Sequence, residues 1–571
     1  MILKALYDYY HRCGDLPKLG RELKQIGFLI VINSKGDFLR IEDCRTGNNS
    51  SKLFLVKKSV KRSSNAIPNY LYDNCEYTIG YSQKEGKHSF DNFYLFKEKV
   101  TSIFEQHPDN ATIKAVHLFY QKTPETILSE LKKDSLWGEV EKSLNKKYAF
   151  FSFRVEGDSK IVAEHDELFP VNVEQNKENT AFCLITGNPC QPVITTTATM
   201  IPKCKANATL VAFQVRSGYD SYGKTQGHNA PISKEAEFAY TTALNHMLRS
   251  DSHNKFSLGS RTFVFWSSTK SNIGKQIEES LCSILGVSED KDNPNANINN
   301  VKKVFKGIYS GQITTDYNDR FYVLGMAPNS ARIAVVYWSE QSLEEFAGNI
   351  LKHFNDMEII DSKNDKRPFA GLYSILSAVT IPTKGKESYA TPNLGDSIAR
   401  SIFQGTPYPD TLFASCIRRL RADKKITICR MAILKAYLTR KNYTNNNKIT
   451  TMLDKENNNP GYLCGRLFAV LVKMQKDANN VSSIKERYMN AASTTPASVF
   501  STILNLSIHH AEKLSDGLRI MYEKLKQEIM DKISADGFPS HLNLQDQGRF
   551  FIGYYHQKED FFTRKNDKIE K

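Results

Sequence analysis

Nowhere in the 571 residues is there an apolar run approaching the ~20 residues of a membrane span, which argues against an integral membrane protein. The start, MILKALYDYYHRCGDLPKLG, lacks a basic n-region, an apolar h-region and a cleavage site; it reads as a short amphipathic helix ending near Gly14. The ten cysteines (13, 44, 75, 183, 190, 204, 282, 416, 429 and 464) include no C-x-x-C, and no Cys/His spacing suits a zinc finger. They are expected as buried, reduced thiols of a cytoplasmic protein with no resident metal or cofactor, although Cys183, Cys190 and Cys204 are near enough in sequence to converge. No Ser/His/Asp or Cys/His arrangement stands out. His509 and His510 are neighbours on a helix, so one should face the core and the other solvent.

Acidic residues are also in short supply. Lys and Arg number 77 against 62 Asp and Glu, a net charge of +15 and a pI near 9.1. Such an excess favours a polyanionic partner, most simply nucleic acid. With 40% apolar and 11% aromatic residues, the chain is expected to fold. Its first two thirds alternate strand and helix signals. FLIVINSKGDFLRIED is a hairpin around Ser34-Lys35-Gly36-Asp37, and DRFYVLGMAP and ARIAVVYWSE pair across PNS. YAFFSFRV (148–155), ATLVAFQV (208–215) and RTFVFWSS (261–268) read as further strands. Helices are expected near 91–106, 124–134, 233–249, 275–285, 341–356 and 370–379. IPTKGKESYATPN, residues 381–393, reads as a linker, and helical periodicity dominates from Leu394 onward. There Leu463, Leu467, Val470, Leu471 and Met474 line one helix face, and TTPASVFSTILNLSIHHAEKL opens with a Thr cap and Pro496. The expected architecture is α+β: a mixed α/β region over 1–380, a linker over 381–393 and a helical bundle over 394–571.

Three motifs imitate catalytic or binding chemistry. GYDSYGKT, residues 218–225, matches G-x-x-x-x-G-K-[ST], the phosphate-cradling loop of P-loop NTPases. That loop needs a helix starting at the Lys-Thr pair. Here QGHNAPIS follows Thr225 instead, and the next helix is expected only after a Ser233 cap. Asp220 would put a carboxylate among the phosphates, and no apolar strand ends in the Asp of a Walker B partner. Pro409-Asp410 with Asp423-Lys424-Lys425 imitates the PD…DxK of metal-dependent nucleases, yet the amphipathic helix TLFASCIRRLRA separates the two carboxylates.

The third pattern is basic. Between Cys44 and Tyr72 there is no acid, while Lys57, Lys58, Lys61 and Arg62 supply cations. Asn65, Asn69 and Asn74 supply amides able to read base edges, and Tyr70 and Tyr72 rings able to stack. A second basic stretch spans 401–500, with sixteen Lys and Arg against six acids. Arg418, Arg419, Arg421, Arg466 and Lys473 are its candidates for tracking a nucleic-acid backbone.

Several separate stretches carry a family resemblance, in order along the chain: MILKALYDYY, VKKSVKRSSNAIPNYLYDNCEYTIG, FCLITG, SYGKTQGHNAPISKEAEFAYTTALNHML, FYVLGMAPNSARIAVVYW, GRLFAVL, RYMNAASTTPASVF and LQDQGRFFIGYYHQKEDFF. The chain resembles the large subunit of the type I-C CRISPR surveillance (Cascade) complex over essentially its whole length. The resemblance implies a non-catalytic subunit near the 5′ handle of the CRISPR RNA. Such a subunit reads the protospacer-adjacent motif (PAM) of double-stranded target DNA, assists duplex opening, holds the displaced strand and helps recruit a helicase–nuclease. Its other partners are the backbone, handle-binding and small subunits. SYGKTQGHNAPIS is then a structural signature; a P-loop NTPase or a metal-dependent nuclease is the alternative. The chain departs from the resemblance at QPVITTTATMIPKCKANATLVAF, where Gly and Ser are usual. In such systems the small subunit is thought to arise from an internal start, and Met452, in the loop before Asn459-Pro460, is the candidate here.

Overall fold

The computed structural model describes residues 2–169, 180–284, 303–361, 371–381 and 392–562, apart from 48, 61, 63–65, 83–89, 216–217, 219–221, 250, 259, 270, 304, 314–318, 331 and 442–448. The fold is α+β, in two compact units. One comprises Cys13–Pro192 and Pro231–Thr242; the other comprises Met1–Arg12, Val193–Ala230 and Ala243–Lys571.

The chain opens with α1 (Ile2–Arg12), which belongs to the larger unit. The smaller unit is then built from β1 (Arg21–Gln25), β2 (Phe28–Ile32), β3 (Phe38–Asp43), β4 (Arg45–Gly47), β5 (Ser50–Ser51), β6 (Leu53–Lys57) and β7 (Tyr72–Asn74). These lead into α2 (Cys75–Thr78), α3 (Asp91–Gln106), α4 (Ala111–Phe119), α5 (Pro124–Leu131) and α6 (Trp137–Ser143), followed by β8 (Phe150–Val155), β9 (Ala181–Phe182) and β10 (Pro189–Cys190). Its main sheet has the order β3-β2-β8-β7. β2 is central and parallel to β8, so all five residues of FLIVI are buried, as a strand covered on both faces requires. The β2–β3 turn is fixed by Asn33, whose Oδ1 accepts the N–H groups of Lys35 and Asp37, both at 2.9 Å. Gly36 has φ +81° and packs on α4, where a Cβ would lie 2.5 Å from the Phe119 nitrogen.

In the larger unit, β11 (Lys255–Leu258), β12 (Arg261–Ser267), β13 (Arg320–Asn329) and β14 (Arg332–Ser342) form an antiparallel sheet in chain order. They follow α7 (Lys234–Leu248), with α8 (Asn272–Ile284) between β12 and β13. Phe263, Phe265, Phe321 and Tyr337 enter the unit's core. Trp266, Tyr322 and Trp338 pack against one another at 5.3–5.9 Å, and Tyr9 of α1 meets Trp266 at 6.4 Å. The helices are α9 (Leu343–Met357), α10 (Leu372–Val379), α11 (Pro392–Gln404), α12 (Asp410–Asp423), α13 (Ile428–Lys441), α14 (Pro460–Asn479), α15 (Ser483–Ala492), α16 (Phe500–Ala511), α17 (Asp516–Met530) and α18 (Leu544–Asp560). A single hydrophobic core joins the sheet to helices on both sides of residues 381–393.

α14 lies at the centre of the helical region. It is buried almost all round rather than along one stripe, from Gly461 through Val472. Glycines let α18 approach it: a Cβ at Gly461 would sit 2.4 Å from the Asp546 carbonyl oxygen, and one at Gly553 would sit 2.3 Å from that of Tyr462. The expected strand over 208–215 is absent. Thr209 makes one isolated bridge to Arg332 at the start of edge strand β14, and the Val211 carbonyl accepts the Thr196 hydroxyl, so this apolar run touches the sheet edge at a single point and does not extend into a strand.

Candidate nucleic-acid interface

In the smaller unit, β6 pairs antiparallel with β1, setting Lys57 opposite Arg21. The chain leaving β6 is clamped: Ser59 N–H donates to Glu22 at 3.1 Å, and Val60 N–H donates to the Asn69 side-chain oxygen at 3.0 Å. Asp73, fully buried, accepts the Arg62 guanidinium and the backbone N–H groups of Asn69 and Asn74. Arg62 also donates to the Ile67 carbonyl at 2.8 Å and stacks 4.1 Å from the Tyr77 ring centre. Asn74 caps α2, its side chain accepting from the N–H groups of Glu76 and Tyr77.

These contacts reassign two expected base readers, Asn69 and Asn74, and one expected cation, Arg62. Asn69 is buried and closes a loop, Asn74 is a helix cap, and Arg62 is committed to Asp73. An amide whose oxygen serves the backbone keeps only its N–H donors and loses the bidentate donor–acceptor pairing with a base. Tyr72 is buried too, and its hydroxyl bonds Ser59 and the Lys57 carbonyl. Lys61 and Asn65 lie outside the described residues. Lys58 places its ammonium 5.5 Å from the Phe238 ring.

A cation pair remains. The Lys57 ammonium lies 4.4 Å from the Tyr70 ring centre and that of Lys99, on α3, lies 5.5 Å from the same ring. Burial, and then the Lys99 charge, hold the Lys57 ammonium below the usual lysine range. Among the described residues neither makes an ion pair. Two ammoniums on one aromatic ring, with no ion-paired carboxylate among the described residues, suit an anion, a phosphodiester being the simplest. Lys99 escaped the sequence reading because it sits on a separate helix, with Glu98 beside it and nothing in the local pattern to connect it with Lys57.

The second basic stretch divides sharply. Arg418 and Arg421 are exposed one turn apart on α12, with Lys425 exposed just beyond. Arg419 turns inward onto Asp423 at 2.7 Å, and Asp423 also takes both terminal nitrogens of buried Arg430. Arg466 has no exposed surface: its Nε donates to Gln557 at 3.1 Å and its Nη2 to Glu528 at 2.9 Å. It is not a backbone contact, because α14 is enclosed on all sides. Lys473 is held by Asp477 at 2.5 Å, one turn on. Lys435 and Arg440 are buried as well; Arg440 pairs with Asp356 at 2.6 Å.

Neither imitation motif assembles. Gly218 and Gly223 are open to solvent, with φ +81° and +71°, and Lys224 and Thr225 are exposed. A 3-10 turn over Gln226–Asn229 follows, and α7 starts only at Lys234. Gly227 packs on the carbonyls of Val193 and Ile194, giving the GKTQG stretch a structural role. Asp410 and Asp423 occupy opposite ends of α12, about 20 Å apart at helical rise. Asp410 accepts from Tyr437 at 2.5 Å and Lys441 at 2.7 Å. Among the described residues no group of three or more His, Cys, Asp and Glu is placed to hold a metal ion. His510 is buried and His509 exposed. No described helix is long and apolar enough to cross a membrane.

No curated protein matched the chain. The family model described as CRISPR-associated protein (Cas_Csd1) matches residues 6–562. With nearly every element of both units inside that match, the chain belongs to the Csd1 family of CRISPR-associated proteins, the Cascade large subunits.

Proposed function

We propose that the chain serves a type I-C surveillance complex as its PAM-reading large subunit and performs no chemistry of its own. In this reading it contacts the CRISPR RNA near its 5′ handle, binds double-stranded target DNA at the PAM and assists duplex opening. It holds the displaced strand, joins the backbone, handle-binding and small subunits, and helps recruit the helicase–nuclease, all in the cytoplasm. The observation that carries this is the Lys57–Tyr70–Lys99 cluster, two cations on one aromatic ring with no carboxylate partner among the described residues. Exposed Arg418 and Arg421 supply a second, sequence-independent contact to phosphate.

The test is DNA binding by the assembled complex on targets with the cognate and a scrambled PAM, across a salt series. Lys57→Gln with Lys99→Gln should flatten the log K against log salt slope by about 2, at roughly 0.9 per phosphate contact. An unchanged slope would remove the cluster from the interface. ATP hydrolysis, or Mg²⁺-dependent cleavage, by the purified chain alone would favour an enzyme instead.

A further inference from the structure

Most of the described cysteines have thiols raised by burial. Burial pushes the Cys44 thiol up to about 11 and those of Cys75, Cys429 and Cys464 up to about 12. Cys183 differs. It leaves β9 at the start of a tight C-L-I-T-G turn, where its N–H donates to the Asn188 carbonyl at 2.9 Å and its carbonyl accepts the Gly187 N–H at 2.8 Å. That turn directs the N–H groups of Ile185 and Thr186 and the Thr186 hydroxyl onto its sulfur, and Ser233 N–H adds a fourth bond at 3.4 Å. Burial alone would raise this thiol; the four hydrogen bonds outweigh it and bring it down to about 7. Cys190 is paired with Ala181 across the hairpin, which puts its side chain on the same face as Cys183, within electrostatic reach of that thiol. Burial, and then its neighbour's charge, keep the Cys190 thiol protonated. Both side chains are buried, Cys183 2% and Cys190 6% exposed, under a rim of exposed residues formed by Phe182, Leu184, Gly187, Asn188 and Pro189. Among the described residues no further His, Cys, Asp or Glu joins the two to make a metal site.

We propose that Cys183 and Cys190 are a reactive dithiol that a small-molecule disulfide such as glutathione disulfide oxidises to an intrachain disulfide. The Cys183 thiolate attacks one sulfur of the reagent, forming a mixed disulfide and expelling one glutathione thiolate. Cys190 gives its proton to solvent and attacks the Cys183 sulfur, closing the protein disulfide and expelling the second glutathione. The protein loses two electrons and two protons, and the reagent is reduced to two thiols.

The experiment uses the purified, fully reduced chain treated with glutathione disulfide, then alkylated and digested with trypsin. The peptide spanning residues 178–203 contains only these two cysteines. It should lose two hydrogens and resist alkylation. Cys190→Ser should instead retain a glutathione adduct on Cys183, and Cys183→Ser should form neither product. A peptide that stays reduced while Cys13 or Cys204 is modified overturns the proposal. Should Cys183→Ser fail to fold, the wild-type chain still decides. Limiting iodoacetamide should label Cys183 well before Cys416 or Cys464, and equal or slower labelling overturns the assignment.

Discussion

Gly465 of α14 lies so close to α18 that a Cβ on it would stand 2.0 Å from the carbonyl oxygen of Phe550. The obstacle is backbone on a helix that is itself buried, so neither side yields cheaply. Gly465→Ala should destabilise the protein by about 2–4 kcal/mol, through overpacking between two helices. Gly517→Ala is the control: a methyl group on that helical glycine would meet nothing within 4 Å, and alanine there should gain about 0.5–1 kcal/mol. Thermal melts of the two variants should move in opposite directions.

Arginines of one basic stretch should separate into two phenotypes. Arg418→Gln with Arg421→Gln should flatten the salt dependence of DNA binding by about 2 and leave the melting temperature within a few degrees. Arg466→Gln should do the reverse. It strips a buried cation from Glu528 and Gln557, at about 3 kcal/mol, the low end for such pairs because Glu528 is partly exposed. A changed salt slope in Arg466→Gln without loss of stability would contradict its placement.

Asn69→Ala and Asn74→Ala should lower stability rather than PAM discrimination. The first opens the bond to Val60, and the second removes a helix cap worth about 1 kcal/mol. Binding measured on cognate and scrambled PAMs should fall by the same factor on both. A loss confined to the cognate PAM would return these amides to the base-reading role.

His556 predicts how stability depends on pH. Burial holds its imidazole down at about 3, its Nδ1 meeting the Tyr462 hydroxyl at 3.0 Å. In the unfolded chain it titrates near 6.5, so between about 3 and 6.5 the unfolded state binds one more proton. Its contribution is therefore fully present above about 6.5 and is lost progressively as pH falls toward 3. His556→Gln should reduce the slope of stability against pH in that window by up to about 1.4 kcal/mol per pH unit, read from urea titrations at several pH values.

Met452 sits in the loop between α13 and α14, before the Asn459 cap and Pro460. A polypeptide starting there would keep α14 to α18 whole, whereas starts at Met474 or Met489 would cut into α14 or α15. Expression of the gene alone should yield a small C-terminal species by intact mass spectrometry. That species should vanish with Met452→Leu; its absence from the wild type, or its persistence in the variant, refutes this start.

What the sequence made legible was local. The β2–β3 and β13–β14 hairpins followed from β-branched runs broken by turn residues, and α3 occupies the expected 91–106. Long-range pairing was not legible. Arg440 meets Asp356 84 positions away, and Arg466 meets Gln557 across 91, so counting charges along 401–500 mistook core cations for surface ones. The run at 208–215 has strand composition, but it meets edge strand β14 only through the Thr209–Arg332 bridge, and composition does not supply the rest of a ladder. Lys99 became a candidate only when α3 brought it over the ring that Lys57 also occupies.

The Asp73 clamp couples this loop to the sheet beneath it. One buried carboxylate gathers the Arg62 guanidinium and the backbone N–H groups of Asn69 and Asn74, and the Val60–Asn69 bond shuts the base of the same loop. Arg62 and the Ile67 carbonyl carry that anchoring into the interval as well as at its base. Because Asp73 belongs to β7, a change at Arg62 is felt by the sheet, and loop and strand form one mechanical unit rather than two.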